Sequence, residues 1–280
     1  MNQRRQKNVV GHFIRRYKLA SAGGLIVVMF VLTGLTAPWI APMDPTRIAV
    51  RDSVRPPGGE YLLGADQHGR DMLSRIIFGA RISLLISFSS VALGALFGVS
   101  LGMVAGWWRT VEPPVMRFMD VLLCFPGIII ALTVISVLGS GLENVIFAIV
   151  MGQVPQFARL AHGLTETTKR NTYVDAAVSI GASDLRILSR HLFPNILAPI
   201  IVQMSLAIPG TIMTAAALSF LGLGVPPPTP EWGAMLQDSL HWARMGPHIV
   251  VFPGLTLMLV VFGFNLFGDG LRSALDPRAS

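Results

Sequence analysis

The sequence predicts an all-α membrane protein with six transmembrane helices and a helical elbow between the fourth and the fifth. Of its 280 residues, 52% are hydrophobic and only 13% are charged, which is more apolar material than one soluble core requires. A bilayer core of about 30 Å needs about 20 consecutive apolar residues in a helix. The stretches that meet this requirement are residues 19–41, 82–105, 120–139, 142–160, 196–220 and 249–268.

The distribution of basic residues predicts the orientation of these spans. Six spans place both termini on one side, and if that side is cytoplasmic, the inside segments hold 15 of the 22 lysines and arginines. The positive-inside rule therefore predicts a cytoplasmic N-terminal tail, residues 1–18, and a cytoplasmic C-terminal tail, residues 271–280. The net charge of +7 does not indicate nucleic-acid binding, because the basic residues are dispersed without a recognition motif.

The first predicted span, residues 19–41, follows a basic stretch but does not match a signal peptide. Its apolar run is too long, and no small-residue cleavage site follows it, so we expect it to be retained.

The single cysteine, Cys124, excludes an internal disulfide. Because it lies in an apolar run, we expect it to be a small buried residue.

The next segment, residues 42–81, is predicted to be a small folded extracytoplasmic element, and its motif GADQHGRD allows two interpretations. Its charged side chains could coordinate an ion or contact another protein. The favoured interpretation is a turn before a helix, in which the glycines supply the backbone conformation and the opposite charges pair with one another. The motif residues concerned are Gly64, Asp66, Gly69, Arg70 and Asp71.

The second predicted extracytoplasmic segment, residues 221–248, is rich in proline. Its sequence VPPPTPEWGAML predicts a turn followed by a short helix that begins near Glu231. Trp232 is then expected to anchor this helix at the membrane surface, where tryptophan is enriched. Contact with another extracytoplasmic protein is an open alternative.

The second predicted span contains four glycines at a spacing of four residues. This spacing keeps them on one face of the helix, where the missing side chains allow close contact with another helix. We therefore predict a packing face within the bundle or against a partner. The glycines are Gly94, Gly98, Gly102 and Gly106.

Ser100 lies among these glycines in GVSLG, which matches the G-x-S-x-G motif of serine hydrolases. That chemistry requires a strained turn between a strand and a helix, with an acid and a histidine following in the chain. A membrane helix offers none of this, so a membrane hydrolase is a weak alternative.

The sequence lacks an energy source for uphill transport. Ion-coupled carriers usually require an ionisable residue within the membrane, but the middles of the predicted spans contain none. No P-loop is present for binding ATP. No metal-binding pattern is present either, so no metal site is predicted. Gln153, Gln203 and Asn265 are polar residues within spans. We favour interhelical hydrogen bonds for these amides, and a lining for a polar path stays open.

The elbow, residues 172–195, is charged and helical. Thr172 and Asp175 form a capping pattern for a first helix with a small apolar face, and Gly181 is expected to end it. Ser183 can cap a second helix, and Pro194 is expected to end the elbow and begin the fifth span. The predicted apolar residues are Ala176, Ala177 and Ile180 on the first helix, and Leu185, Leu188 and Leu192 on the second.

Such an elbow could enter a groove on another protein or be a solvated loop. A resemblance favours the first interpretation: Asp175-Ala176-Ala177, followed by Gly181, resembles the EAA coupling motif of permease subunits of binding-protein-dependent ABC importers, with Asp in place of the usual Glu. Residues 191–194 (HLFP) resemble the peptide branch, as do residues 63–84, 218–236 and 264–277. The resemblance covers nearly the whole chain from about residue 20 and indicates the second, C-type, permease of dipeptide, oligopeptide, glutathione or nickel importers.

The resemblance implies a type I, MetI-like permease with a core at residues 82–270 and a coupling loop at residues 159–195. It implies a bacterial inner-membrane complex with a second, different permease, two ATPase subunits and an extracytoplasmic solute-binding protein. ATP and Mg would bind the ATPases, so this chain would be a transport subunit, with no cofactor of its own. Asp175, Ala176, Ala177 and Gly181 would dock to an ATPase, and Pro194 would join the elbow to the span. An autonomous carrier or channel is the alternative.

Overall fold

The structure is a computed structural model that describes residues 17–275, so most of the predicted N-terminal tail, residues 1–18, and half of the predicted C-terminal tail, residues 271–280, lie outside the described residues. Five of its helices are long and apolar enough to cross a membrane, and a bent pair, α3 and α4, makes a sixth if it counts as one span. The helices are α1 (Lys18–Ile40), α2 (Met72–Trp107), α3 (Glu112–Leu123), α4 (Gly127–Leu138), α5 (Leu142–Thr168), α6 (Thr172–Ser179), α7 (Asp184–Ile187), α8 (Phe193–Phe220), α9 (Trp232–Ser239) and α10 (His248–Leu275).

Helices α2 and α5 form the most extensive helix–helix contact among the described residues, α1 packs on α2 and α10, and α8 contacts α2, α5 and α10. The segment between α1 and α2 meets the segment between α8 and α10 at one end of the bundle, which we call the loop end. There, His248 Nε2 lies 3.2 Å from the carbonyl oxygen of Ala65. The elbow lies at the opposite end, the elbow end, where Lys169 Nζ donates to the Gly106 carbonyl oxygen at 2.7 Å.

The predicted spans 19–41 and 196–220 match α1 and α8 to within three residues. The predicted spans 142–160 and 249–268 lie within α5 and α10, which continue to Thr168 and Leu275. Helix α2 begins ten residues before its predicted start, at Met72, because the Asp71 side chain accepts a hydrogen bond from the backbone N–H of Ser74 and caps it. Its 36 residues span about 54 Å at 1.5 Å per residue, so it extends well beyond a bilayer core.

The prediction of one continuous third span, residues 120–139, is wrong. Helices α3 and α4 are bent by 91° relative to each other, and each is only 12 residues long, about 18 Å. The bend follows from Pro126, which lacks a backbone N–H and restricts the preceding residue to extended conformations. Cys124 lies at this bend and is exposed, contrary to the prediction of a buried residue.

Candidate functional site

The elbow consists of helices α6 and α7 joined by a turn at Gly181. Gly181 has a φ of +77°, which glycine adopts without the steric penalty that a Cβ atom brings. The N–H of Gly181 donates to the Val178 carbonyl oxygen at 2.9 Å, and the N–H of Ala182 donates to that of Ala177 at 3.1 Å. These two bonds form a Schellman motif, so Gly181 ends α6 as expected.

The predicted caps of the elbow helices differ from the observed ones. Asn171, not Thr172, occupies the N-cap position of α6, and its carbonyl oxygen accepts from the Val174 N–H at 2.9 Å. Thr172 is instead the first helical residue. Ser183 does hold the N-cap position of α7, but without a side-chain hydrogen bond. The pattern therefore located α6 correctly but misassigned its cap by one residue.

The second half of the elbow is continuous with the long helix that follows. A π-helical segment, Leu188–Leu192, joins α7 directly to α8, so residues 184–220 form one uninterrupted helical path. Pro194 lies in the first turn of α8 and does not end the elbow, contrary to our expectation. A π-helical turn omits an i→i−4 hydrogen bond, which accommodates a proline that has no N–H to donate.

One face of the elbow is turned toward the rest of the chain. Ala177 is only 5% exposed and belongs to the main hydrophobic core. It therefore faces inward, although the resemblance implied that it docks to a partner. Trp108 Nε1 also donates to Asp184 Oδ2 at 3.2 Å. The other buried elbow residues in this core are Val174, Ile187, Leu188 and Leu192.

The opposite face of the elbow is exposed and carries apolar side chains. Asp175 and Ala176 are both exposed, and Ile180 and Leu185 are 84% and 75% exposed. Val178 is also exposed. Exposed apolar residues with charged residues around them are typical of interaction surfaces. We call these five residues the outer face. Leu185 was expected to share an apolar face with Leu188 and Leu192, and Ile180 with Ala177. Both predictions are wrong, because Leu185 and Ile180 are exposed whereas the other three residues are buried.

At the loop end, Asp66 is the centre of a buried network of charges. Its Oδ1 accepts from the backbone N–H groups of His68 at 2.8 Å and Arg70 at 3.0 Å. Its Oδ2 lies 2.6 Å from Arg70 Nε and 3.3 Å from Arg75 Nε. Asp66, Arg70 and Arg75 are all nearly inaccessible, so the charges satisfy one another. This agrees with the favoured interpretation of the motif as a turn before a helix.

Both glycines of this motif have positive φ values, +82° at Gly64 and +74° at Gly69. A Cβ atom on Gly69 would overlap the carbonyl oxygen of Ala49, and one on Gly64 would lie 2.5 Å from the His248 ring. Each glycine therefore meets both a conformational and a steric requirement. Nearby, burial and a hydrogen bond to Asp52 raise the pKa of Tyr61.

Glu231 begins helix α9, as predicted, but neither it nor Trp232 is accessible to a partner. The Glu231 carboxylate accepts from the N–H groups of Gly233 at 3.0 Å and Ala234 at 2.9 Å, and from the Ser83 hydroxyl at 3.1 Å. Trp232 is completely buried. The prediction of a membrane-surface anchor is therefore wrong at Trp232.

Trp232 instead fixes α9 against two long helices. Its Nε1 donates to the Ile76 carbonyl oxygen at 3.1 Å, and its ring meets that of Phe30 edge to face, with centroids 6.0 Å apart. Gly79 leaves room for the indole, because a Cβ atom there would lie 2.7 Å from it. A sequence pattern cannot separate a buried tryptophan from an interfacial one when the flanking residues are turn formers.

The glycine stripe of α2 lies against α5. A Cβ atom on Gly98 would lie 2.6 Å from Phe157 Cβ, and one on Gly102 would overlap the carbonyl oxygen of Ala158. Gly106 faces Thr165 in the same way, and Gly94 faces Gln153. The four glycines thus contact another helix of this chain.

Ser100 lies on the exposed side of α2, within an unbroken helix and not at a strand-to-helix turn. Its hydroxyl donates to the Leu96 carbonyl oxygen at 2.7 Å.

Three side chains near the elbow end could hold a metal ion, although the sequence predicted no metal site. One potential ligand atom from each of Glu112, His162 and Glu166 lies within 4.8 Å of the others. Partners in the chain already engage them, since His162 Nε2 is 3.1 Å from Glu112 and Glu166 pairs with Lys169. The Glu112–His162 pair joins α3 to α5, and the Glu166–Lys169 pair lies at the end of α5.

The fold and the elbow define a class of protein: a multi-span helical membrane protein whose elbow continues without a break into a membrane-spanning helix. Residues 94–280 match the family model described as "Binding-protein-dependent transport system inner membrane component". The chain therefore belongs to this family of ABC importer permeases, which form the translocation pathway and work with separate ATPase subunits and solute-binding proteins. Such subunits are not enzymes themselves.

Relatives and solved structures agree with this assignment. The chain is 44% identical over 269 residues to the glutathione transport system permease protein GsiD of Escherichia coli O157:H7, covering 94% of this chain and 88% of the relative. It is 42% identical over 268 residues to GsiD of Pectobacterium atrosepticum, covering 95% and 89%. An inward-facing structure of the MetNI methionine ABC transporter is similar in fold, with a TM-score of 0.58 at 18% identity, covering 73% of this chain and 98% of the other.

Proposed function

We propose that this chain conducts a small peptide-like solute into the cell as one of two different permease subunits, and that the elbow receives the movement of an ATPase. In this arrangement both termini and the elbow lie in the cytoplasm, while the loop end is extracytoplasmic. The ATPase subunits bind ATP and Mg, and the solute-binding protein delivers the solute at the loop end.

The proposal rests mainly on one observation: the elbow has an exposed apolar outer face and continues without a break into the long helix α8. The outer face offers Ile180 and Leu185 to a partner, while the inner face fixes the elbow in the core. Because α7 continues into α8 without a break, a displacement of the elbow reaches the middle of the bundle. Nucleotide can then bias the permease between two states through contacts that differ between them.

Replacement of Ile180 or Leu185 by aspartate should detach the ATPase subunits from the purified complex, since each change places a charge in an apolar contact. Asp175→Arg should weaken the same contact by reversing a charge. The measurement is the amount of ATPase that co-purifies with a tagged permease, together with solute-stimulated ATP hydrolysis.

Glu60→Arg is the matched control for Asp175→Arg. Glu60 is an exposed carboxylate in the loop-end segment, away from the elbow, so ATPase co-purification should not change. Normal co-purification and normal uptake in all three elbow variants would exclude the coupling role.

The proposed solute is glutathione or a peptide of similar size. This proposal rests on the names and identity of the GsiD relatives and on the resemblance to peptide permeases. We expect a glutathione-loaded or tripeptide-loaded binding protein to raise ATP hydrolysis by the reconstituted importer severalfold, and the same protein without solute to raise it less. Stimulation by a nickel-loaded binding protein alone would overturn the peptide assignment.

A further inference from the structure

A cavity of about 380 Å³ opens between α4, α5 and α8. Its polar lining consists of amide and hydroxyl side chains, with glycines and a few aliphatic residues between them, and no charged side chain of the described residues lines it. The polar lining residues are Gln153, Gln156, Gln203, Thr211 and Thr214.

This cavity lies midway along the bundle. Gln153 and Gln156 are near the centre of α5, which runs from residue 142 to residue 168, and Gln203 and Thr211 flank the centre of α8. Lipid cannot satisfy amide groups at this depth, and an amide left without a partner in hydrocarbon destabilises the structure. Gln156 and Gln203 both line the cavity, where Gln156 is exposed and Gln203 is partly exposed. These amides therefore need water, a solute that forms hydrogen bonds or a polar group of another subunit as a partner.

The break between α3 and α4 gives an independent indication that water enters here. Gly127, the first residue of α4, lines the cavity and lies against Gly152 near the centre of α5, so the bend occurs at the same depth. Non-helical backbone at membrane depth is tolerated only where protein covers it or where it borders a water-filled cavity. The broken backbone thus borders the amide-lined cavity, as expected if that cavity holds water.

One hydrogen bond holds the wall of this cavity together. Gln153 Nε2 donates to Thr211 Oγ1 and joins α5 to α8, and Thr211 in turn donates to the Ala207 carbonyl oxygen at 2.8 Å. Gln153 therefore combines both functions that the sequence left open for it, an interhelical hydrogen bond and a place in a polar lining. Gln203 has the second of these, whereas Asn265 does not line the cavity.

We propose that this cavity is part of the solute path and that its surface is this chain's share of the lining of the path. Gln156, Gln203 and Thr214 then bind the amide groups of a passing peptide. Glutamine side chains both donate and accept hydrogen bonds, as peptide groups do, so they match a peptide backbone whatever its side chains are. The uncharged lining avoids the tight ion pairs that would retain a solute. This inference rests on the proposed function for the identity of the solute.

The test is thiol labelling of the complete importer in membranes, in a Cys124→Ser background. Single substitutions Gln156→Cys, Gln203→Cys and Thr214→Cys place thiols in the cavity, and a charged, membrane-impermeant methanethiosulfonate is applied from both sides. The matched control is Leu93→Cys, because Leu93 lines an apolar groove on α2, α3 and α5. An apolar environment raises the pKa of a thiol, so cavity thiols should react about tenfold faster or more than the control.

A solute path must also change its accessibility during the transport cycle. We expect the labelling rate at Gln203→Cys to differ between nucleotide-free importer and importer trapped with ATP and vanadate. Labelling no faster than the Leu93→Cys control at all three positions, or a rate that nucleotide does not change, would overturn the inference.

These outcomes are separable from failure of the proposed function. If the thiols stay unlabelled while a loaded binding protein still stimulates ATP hydrolysis, the importer assignment stands and only the cavity assignment fails. If no ATPase associates with the chain but the cavity thiols react, the proposed coupling fails and the aqueous cavity remains.

Discussion

Replacement of Asp66 by asparagine should lower the free energy of unfolding by about 3–5 kcal/mol, the usual consequence of removing one partner from a buried ion pair. Arg70 and Arg75 would keep their charges in a site where they are 4% and 3% exposed. Asp238, the other carboxylate near Arg70, is 3.8 Å away and cannot take the place of two short contacts. The measurement is thermal melting of the purified chain in detergent, monitored by near-UV circular dichroism.

Asp44→Asn is the matched control for this change. Asp44 is an exposed aspartate of the same segment, whose pKa is lowered chiefly by a hydrogen bond from the Thr46 side chain, and its loss should change the melting temperature little. If Asp66→Asn melted like the wild type but lost contact with the solute-binding protein, the motif would be a docking site and not a structural turn.

Replacement of Gly102 by leucine should prevent α2 from packing against α5. Even the first carbon of the new side chain would overlap the Ala158 carbonyl oxygen and lie 2.9 Å from Ala161 Cβ. Overpacking a close contact commonly costs about 1–3 kcal/mol, and here the backbone of α5 would have to move, so we expect a cost at or above this range. The variant should insert into the membrane but be degraded or be extracted as aggregate, which size-exclusion chromatography would detect.

Ser100→Leu is the control for Gly102→Leu, because Ser100 is on the exposed side of the same helix. Leucine is favourable at a lipid-facing position, so this variant should elute and transport like the wild type. If both variants eluted and transported like the wild type, the glycine stripe would face lipid or a loosely packed contact. A loss of function in Ser100→Leu without loss of assembly would indicate a role for the hydroxyl.

Long apolar runs were sufficient to predict most of the spans. In α1 and α10 hydrophobicity continues over more than 20 residues, and no other structure satisfies the backbone of such a run in lipid. The same holds for the stripe of α2, since glycines four residues apart share a face whatever packs on it. Glu231 was located correctly for a similar reason, because a capping carboxylate acts on the next turn of its own helix.

The break in the third span has a local cause that the hydropathy of the run concealed, and the other failures occur where the outcome depended on residues distant in the chain. The run 120–139 is apolar enough to span, but Pro126 and the polar cavity beside it favour a break. Trp232 has the composition of an interfacial anchor, yet Gly79 on α2 leaves a space that accepts its ring. In the elbow, the periodicity identified apolar positions without showing which of them would be turned inward.

The sequence by itself determined that this chain is a multi-span helical membrane protein with an elbow ended at Gly181, because span length, glycine spacing and helix termination are local consequences of chain chemistry. The assignment as a permease came from the resemblance to a family. The tertiary structure alone decided that Ala177 is buried while Ile180 and Leu185 are exposed, that the elbow continues into α8, and that three glutamines from two helices line one cavity. The burial of Ala177, the exposure of Ile180 and Leu185 and the shared cavity depend on contacts between segments far apart in the chain, and on packing geometry that no single segment contains. The continuation into α8 depends on the π-helical segment Leu188–Leu192, whose geometry the sequence pattern did not reveal.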